Sequence, residues 1–189
     1  AIGQPGVTKE FPHTPGIDAA GTVVESSRED LPVGVKVIAF GYDLGMNTAG
    51  GFGRYIRVPG EWLLPLPEGL SLHDAMVYGT AGFTAAYSIE KLRSAGITEN
   101  GEVLVSGASG GVGTIAVALM ARLGFHVTAM TGKREAQILL EQLGAAEIIP
   151  RTREDDIRKR PLESGRWNAV VDTVGGAPLA QALKEVRYD

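Results

Sequence analysis

Glu102-Val-Leu-Val-Ser-Gly-Ala-Ser-Gly-Gly-Val-Gly113 decides how this chain folds. A short apolar run ends there in a glycine-rich turn, and an apolar-periodic segment follows at once. Gly107, Gly110 and Gly113 recur every third residue where a strand would hand over to a helix. Glycines so placed let backbone N–H groups approach a pyrophosphate, and the helix N-terminus behind them supplies partial positive charge. Alone the turn is a weak sign, because a tight strand–helix connection also uses glycine for packing. Its setting strengthens it: a strand precedes, a helix follows and a second strand comes at the expected distance. A dinucleotide is the expected ligand and hydride transfer the expected chemistry.

Downstream of Glu102, strand and helix signals alternate. Glu102–Ser106, Phe125–Met130, Glu147–Ile149 and Asn168–Asp172 read as buried strands of a parallel sheet. Val112, Ile115, Ala116, Leu119 and Leu123 fall at helical spacing, as do Ala136, Leu139, Leu140 and Leu143. Gly124 and Gly144 stand just past these stripes, where helix C-termini favour glycine. This order predicts the first part of a doubly wound α/β fold. The opening third reads differently, rich in glycine and proline. Its short β-type runs, Thr22–Glu25, Val35–Phe40, Arg54–Val58 and Trp62–Leu66, predict an irregular β-rich domain. Helix-length segments begin near Ser71, so domains are expected over residues 1–75 and 76–189. The mixed-charge run Arg151–Arg160 is expected to form a solvated loop or helix face.

Composition narrows the partners. With 189 residues, 44% of them hydrophobic, the chain can bury one good core or two modest ones. A net charge of −4 argues against general affinity for nucleic acid or acidic membranes. No segment reaches the ~18 uninterrupted apolar residues of a membrane span. Ala1-Ile-Gly-Gln-Pro5 has neither a basic nor an apolar leader region, and a cytoplasmic location is the expectation. Zero cysteines removes disulfides, thiolate nucleophiles and cysteine zinc ligands together.

The end of the second parallel strand distinguishes NAD from NADP. An NAD site places Asp or Glu there to accept from the ribose hydroxyls. This chain has Thr131-Gly-Lys-Arg134, and no carboxylate. Lys133 and Arg134 open the next helix, where its dipole disfavours cations, and a bound 2′-phosphate would offset that cost. The Thr131 hydroxyl could donate to the same phosphate. The bland alternative is two solvated basic residues balanced by Glu135.

Several further segments carry a family resemblance. Phe11-Pro-His-Thr-Pro-Gly-Ile-Asp-Ala-Ala-Gly-Thr-Val23, Gly50-Gly-Phe-Gly-Arg-Tyr55, Gly79-Thr-Ala-Gly-Phe-Thr-Ala85, Ala108-Ser-Gly-Gly-Val-Gly113 and Asp172-Thr-Val-Gly-Gly176 stand in the order of the medium-chain dehydrogenase/reductase superfamily. Within it the chain resembles the zinc-independent acrylyl-CoA reductase group, the YhdH/YhfP-type quinone oxidoreductases. The resemblance implies a partial GroES-like β-rich catalytic domain followed by a partial Rossmann domain, with NADPH in the cleft between them. It also implies reduction of acryloyl-CoA to propanoyl-CoA. It places Ser109, Gly110, Gly111 and Val112, flanked by Gly107 and Gly113, at the pyrophosphate turn. Thr131, Gly132 and Lys133 match the group's phosphate-binding Ser-Gly-Arg, and Arg151 matches a cofactor-contacting arginine. Relatives that use zinc have Gly-His-Glu where this chain has Gly16-Ile-Asp18. Catalytic zinc needs about three protein ligands. His13, His73 and His126 are not paired at ligand spacing; they are read as serving a Pro-rich turn, a helix start and an exposed strand position. No metal site is expected.

Without zinc, donors must stabilise the enolate that forms as hydride reaches the β-carbon, and the α-carbon must then receive a proton. Tyr78 and Thr80 enter the Gly-Thr-Ala-Gly-Phe-Thr segment and are the candidate catalytic residues, Thr80 as an orienter of nicotinamide and Tyr78 as a proton donor. Asp18 is read as structural. The resemblance further implies a chain that starts after the opening strands of the catalytic domain and stops before the second half of the Rossmann sheet. It implies a homodimer in the full-length protein. Three functions stay open: an acyl-CoA reductase, a quinone or other enone reductase, and an NADPH-binding module without turnover.

Overall fold

The computed structural model describes residues 8, 10–152 and 164–187. The opening pentapeptide and residues 153–160 of the mixed-charge run lie outside them. The chain divides into two compact units, Ala1–Thr80 and Ala81–Asp189.

The first unit holds an antiparallel sheet in the order β1-β2-β3, formed by Asp18–Thr22, Lys36–Phe40 and Leu63–Pro65. The register runs from Asp18 opposite Phe40 to Thr22 opposite Lys36, with Ile38 opposite Leu64 on the other side. Along β2, Val37 and Ala39 are buried and Ile38 between them less so, the alternation of a half-buried strand. Val23, Leu31 and Val37 make its small core.

Two expectations need correcting here. The strand expected at Thr22–Glu25 lies instead at Asp18–Thr22, although Asp-Ala-Ala-Gly-Thr has little β propensity. Pairing with β2 overrides propensity, and Val23 closes the ladder by bonds to Val35 and Gly34 before the chain turns away at Ser26–Arg28. Arg54–Val58 forms no strand: it is a bend and an irregular segment outside the sheets, with Tyr55 and Ile56 exposed.

Helix α1, Leu72–Ser94, starts on a capping box. Ser71 Oγ accepts from the Asp74 N–H at 3.0 Å and donates to Asp74 Oδ2 at 2.5 Å. That hydroxyl bond, with His73 beside it, holds the Asp74 carboxyl below its ordinary range. Its contribution to the helix start is therefore present above the usual carboxylate range and fades as pH falls through the lowered value. His73 stands exposed at this helix start.

The second unit is built on a parallel sheet in the order β6-β5-β4-β7. Its strands are Glu102–Ser106 (β4), His126–Thr131 (β5), Glu147–Pro150 (β6) and Ala169–Val171 (β7). Between them run α2 (Gly111–Arg122) and α3 (Gln137–Gln142), with α4 (Gly176–Lys184) after β7. Strand alternation covers both faces. Val103 and Val105 join Val127, Ala129, Ala116, Val117, Met120 and Leu140 in one core, which Ala85 and Ile89 of α1 complete. Leu104 faces the other way with Met130, Trp167 and Ala182. Trp167 is fully buried, and its indole N–H is satisfied by Glu185 Oε2 at 3.0 Å. The α/β class and the doubly wound order expected from the sequence are both observed.

Candidate dinucleotide site

The turn from β4 into α2 needs each glycine for its own reason. Gly107 has φ +61°, the left-handed region that favours glycine. Gly113 is buried, and a Cβ there would lie 2.3 Å from the Gly107 carbonyl oxygen and 2.7 Å from Ala108 Cα. It lets the helix approach the strand end. Gly110 and Gly111 are exposed, and Gly110 is the N-cap of α2 with no side chain to offer it. The first-turn N–H groups of a twelve-residue helix are thus left for solvent or an anion. Val112 packs against the core, so only its backbone serves the turn.

The carboxyl ends of β5 and β6 complete the surface. Thr131 Oγ1 lies 2.9 Å from Ser109 Oγ and accepts the Lys133 N–H at 3.1 Å, which brings the turn and the β5 end together. Arg151 N donates to the Thr131 carbonyl at 3.0 Å. A Cβ on Gly132 would sit 3.9 Å from Arg151 Cβ and Nε, so Gly132 and Arg151 are neighbours. Gly132, Lys133, Arg134 and Arg151 are all exposed. Lys133 does not open the helix directly, as the sequence suggested: its backbone is extended, a 3-10 turn of Arg134–Ala136 follows, and α3 begins only at Gln137. Thr131, Gly132, Lys133 and Arg151 therefore stand together at one corner. That donor set, beside a glycine turn whose buried Gly113 lets the helix N-terminus come close to the strand end, fits a phosphorylated dinucleotide.

In the first unit, Asp18 carries the most telling contacts. Gly79, at φ 47° and ψ −151°, breaks α1 into two segments. The second begins at Thr80, whose N–H and Oγ both donate to Asp18 Oδ1, at 2.8 and 2.7 Å. A Cβ on Gly79 would come within 3.0 Å of the same carboxylate. Asp18 is thus the cap of a helix start that lies 62 residues away in sequence. Tyr78, just before the break, is half exposed. We expect Asp18→Ala to lower stability in thermal unfolding by about 0.5–2 kcal/mol, the range for a lost cap. Asp18→Asn keeps Oδ1 and should lose clearly less.

A cavity of about 400 Å³ opens in this unit between Pro15, Ile17, Asp18, Met46, Phe52 and Met76. Its lining is mostly apolar, and sequence reasoning did not assemble it, although Phe52 lies in one of the motifs. His13, expected to serve its own Pro-rich turn, reaches further: its Nε2 is 2.9 Å from the Gly45 carbonyl oxygen. His126 is paired with Glu102 at an exposed strand start, 2.8 Å away. Among the described residues no three His, Cys, Asp or Glu side chains cluster as a metal ion would require. No helix among them is long and apolar enough to cross a membrane.

A family model described as the alcohol dehydrogenase GroES-like domain matches residues 2–68, and one described as zinc-binding dehydrogenase matches residues 111–189. Acrylyl-CoA reductase AcuI of Ruegeria pomeroyi is 46% identical over 184 residues, 97% of this chain and 56% of its own length. The chain belongs to the medium-chain dehydrogenase/reductase superfamily. Within the superfamily it groups, as its motifs suggested, with the AcuI- and YhfP-type proteins. YhfP of Bacillus subtilis, whose name places it among quinone oxidoreductases, is 49% identical over 183 residues, 96% of this chain and 56% of its own. The yhdH oxidoreductase of Salmonella enterica, solved in complex with NADP, is 43% identical with a TM-score of 0.92, covering 98% of this chain and 57% of that one. The chain spans little more than half the length of these superfamily relatives.

Proposed function

We propose that this protein is an oxidoreductase that uses NADPH to reduce the activated carbon–carbon double bond of acryloyl-CoA, giving propanoyl-CoA without zinc. The observation that carries the cofactor reading is the corner of Thr131, Gly132, Lys133 and Arg151, with hydroxyl and cations where an NAD site has a carboxylate. Gly110, Gly111 and Val112 would hold the pyrophosphate through backbone N–H groups, and Ser109 would do so through its hydroxyl. Gly107 and Gly113 shape that turn. Lys133, Arg134 and Arg151 would pair with the 2′-phosphate. NADPH, when bound, supplies the hydride. Thr80 is assigned to orienting the nicotinamide and Tyr78 to protonating the α-carbon. The apolar cavity beside Ile17 and Phe52 has the size of a small-ligand pocket and suits a short acyl group. Similarity to AcuI supports the acryloyl-CoA acceptor.

A second reading, quinone reduction, is favoured by the similarity to YhfP. NADPH oxidation followed by absorbance, with acryloyl-CoA or a benzoquinone as acceptor and NADH as control, separates the readings. Turnover that depends on acryloyl-CoA and prefers NADPH is expected. Turnover with the quinone alone would replace the first reading by the second. Saturable NADPH binding with no acceptor-dependent oxidation would leave a binding module.

A further inference from the structure

A hydrogen-bonded weld ties the end of β4 to the segment that follows β7. The Ser106 hydroxyl, 1% exposed, donates to Asp172 Oδ1 and accepts the Thr173 N–H at 3.1 Å. Thr173 Oγ1 donates to the Ser106 carbonyl at 2.9 Å, and the Gly175 N–H donates to Asp172 Oδ2 at 2.8 Å. Both carboxylate oxygens are thereby engaged within the turn. The weld brings Thr173 and Val174 against the first glycine of the pyrophosphate turn. A Cβ on Gly107 would lie 2.2 Å from Thr173 Oγ1 and 2.9 Å from Val174 Cγ2. Val174 nevertheless stays 40% exposed, an apolar side chain at the carboxyl edge of the sheet.

Strand order gives the site a direction. The hydroxyl-and-cation corner stands past β5 and β6, and the pyrophosphate turn stands past β4. The sheet runs β6-β5-β4-β7, so the half of a dinucleotide that leaves the pyrophosphate away from the 2′-phosphate falls past β7. We infer that Ser106 and Asp172 are positioning residues for the nicotinamide half of the cofactor: they fix the turn Thr173–Gly175 beside Gly107 and present Val174 as the surface on which that half lies. The inference rests on the NADPH reading above. Neither residue touches the cofactor; they act through Thr173 and Val174.

Titrations with NADPH and with 2′,5′-ADP, which carries only the adenosine and its phosphates, test the inference. Ser106→Ala is expected to raise the NADPH Kd about tenfold, the effect of losing a buried bond to a charged group, and to leave 2′,5′-ADP within about twofold. The isosteric Asp172→Asn keeps an acceptor and should give a smaller rise of the same pattern, even should Ser106→Ala fold poorly. Parallel weakening of both ligands would make the weld purely structural and overturn the inference. Unchanged NADPH affinity in both variants would overturn it as well. A parent protein that binds neither ligand would instead defeat the NADPH reading itself.

Discussion

Gly113→Ala is expected to cost the protein most of its NADPH affinity. The added methyl would meet the Gly107 carbonyl oxygen at 2.3 Å and Ala108 Cα at 2.7 Å, and both are backbone atoms that cannot swing aside. Gly113 lies within α2, where alanine is otherwise the best helix former, so the obstacle is close approach and not conformation. Relief requires α2 to back away from the end of β4, and this moves the N–H groups meant for the pyrophosphate. Overpacking of this kind costs about 1–3 kcal/mol. Taken from binding, that is about a 5- to 150-fold rise in Kd. Gly124→Ala is the matched control at the other end of the helix. Its φ of +86° makes alanine strained there, yet no neighbouring atom lies within 4 Å. It should lower thermal stability and leave the NADPH titration where it was. Equal NADPH affinity in the Gly113 variant and the parent would show that this turn does not hold the cofactor.

Lys133→Ala and Arg151→Ala are expected to erase the preference for NADPH over NADH. Each would remove a charge-assisted bond to the 2′-phosphate, worth about 1.5–3 kcal/mol, or roughly 10- to 150-fold in Kd. NADH lacks that phosphate, and its affinity should barely change. The split between the two nucleotides is what identifies the contact, since a variant that merely loosened the fold would weaken both. Rising salt should narrow the difference in the parent, because both side chains are exposed and screened. Parallel loss of both nucleotides in these variants would return Lys133 and Arg151 to the status of ordinary surface cations.

The second unit was more legible in the sequence than the first, for physical reasons. Strands buried on both faces tend to be apolar runs, and Glu102–Ser106 and Phe125–Met130 read as such beside helices with clear stripes. In the first unit, β1 is made of Ala19, Ala20 and Gly21, residues that acquire strand conformation only from pairing with β2. Arg54–Val58 shows the converse, a run of β-type residues with no neighbour to pair with. The break at Gly79 was hidden inside a helical run, because the group that stabilises it, Asp18, is remote in sequence. At the candidate site, the glycines and the Thr131–Lys133 corner were found from spacing. Ser106 and Asp172 were missed as a pair: short polar residues at strand ends look like turn formers until the sheet sets β4 beside β7. The cavity escaped for the same reason, since Ile17, Met46, Phe52 and Met76 meet only in three dimensions.

The most direct test of the central claim is an equilibrium titration of the protein with NADPH and with NADH, followed by calorimetry or by nicotinamide fluorescence. The arrangement of Thr131, Lys133 and Arg151 around an exposed helix N-terminus requires NADPH to bind at least about tenfold tighter, the contribution of one charge-assisted bond. It also requires 2′,5′-ADP to compete with NADPH. Equal affinity for the two nucleotides, or no saturable binding of either, would contradict it.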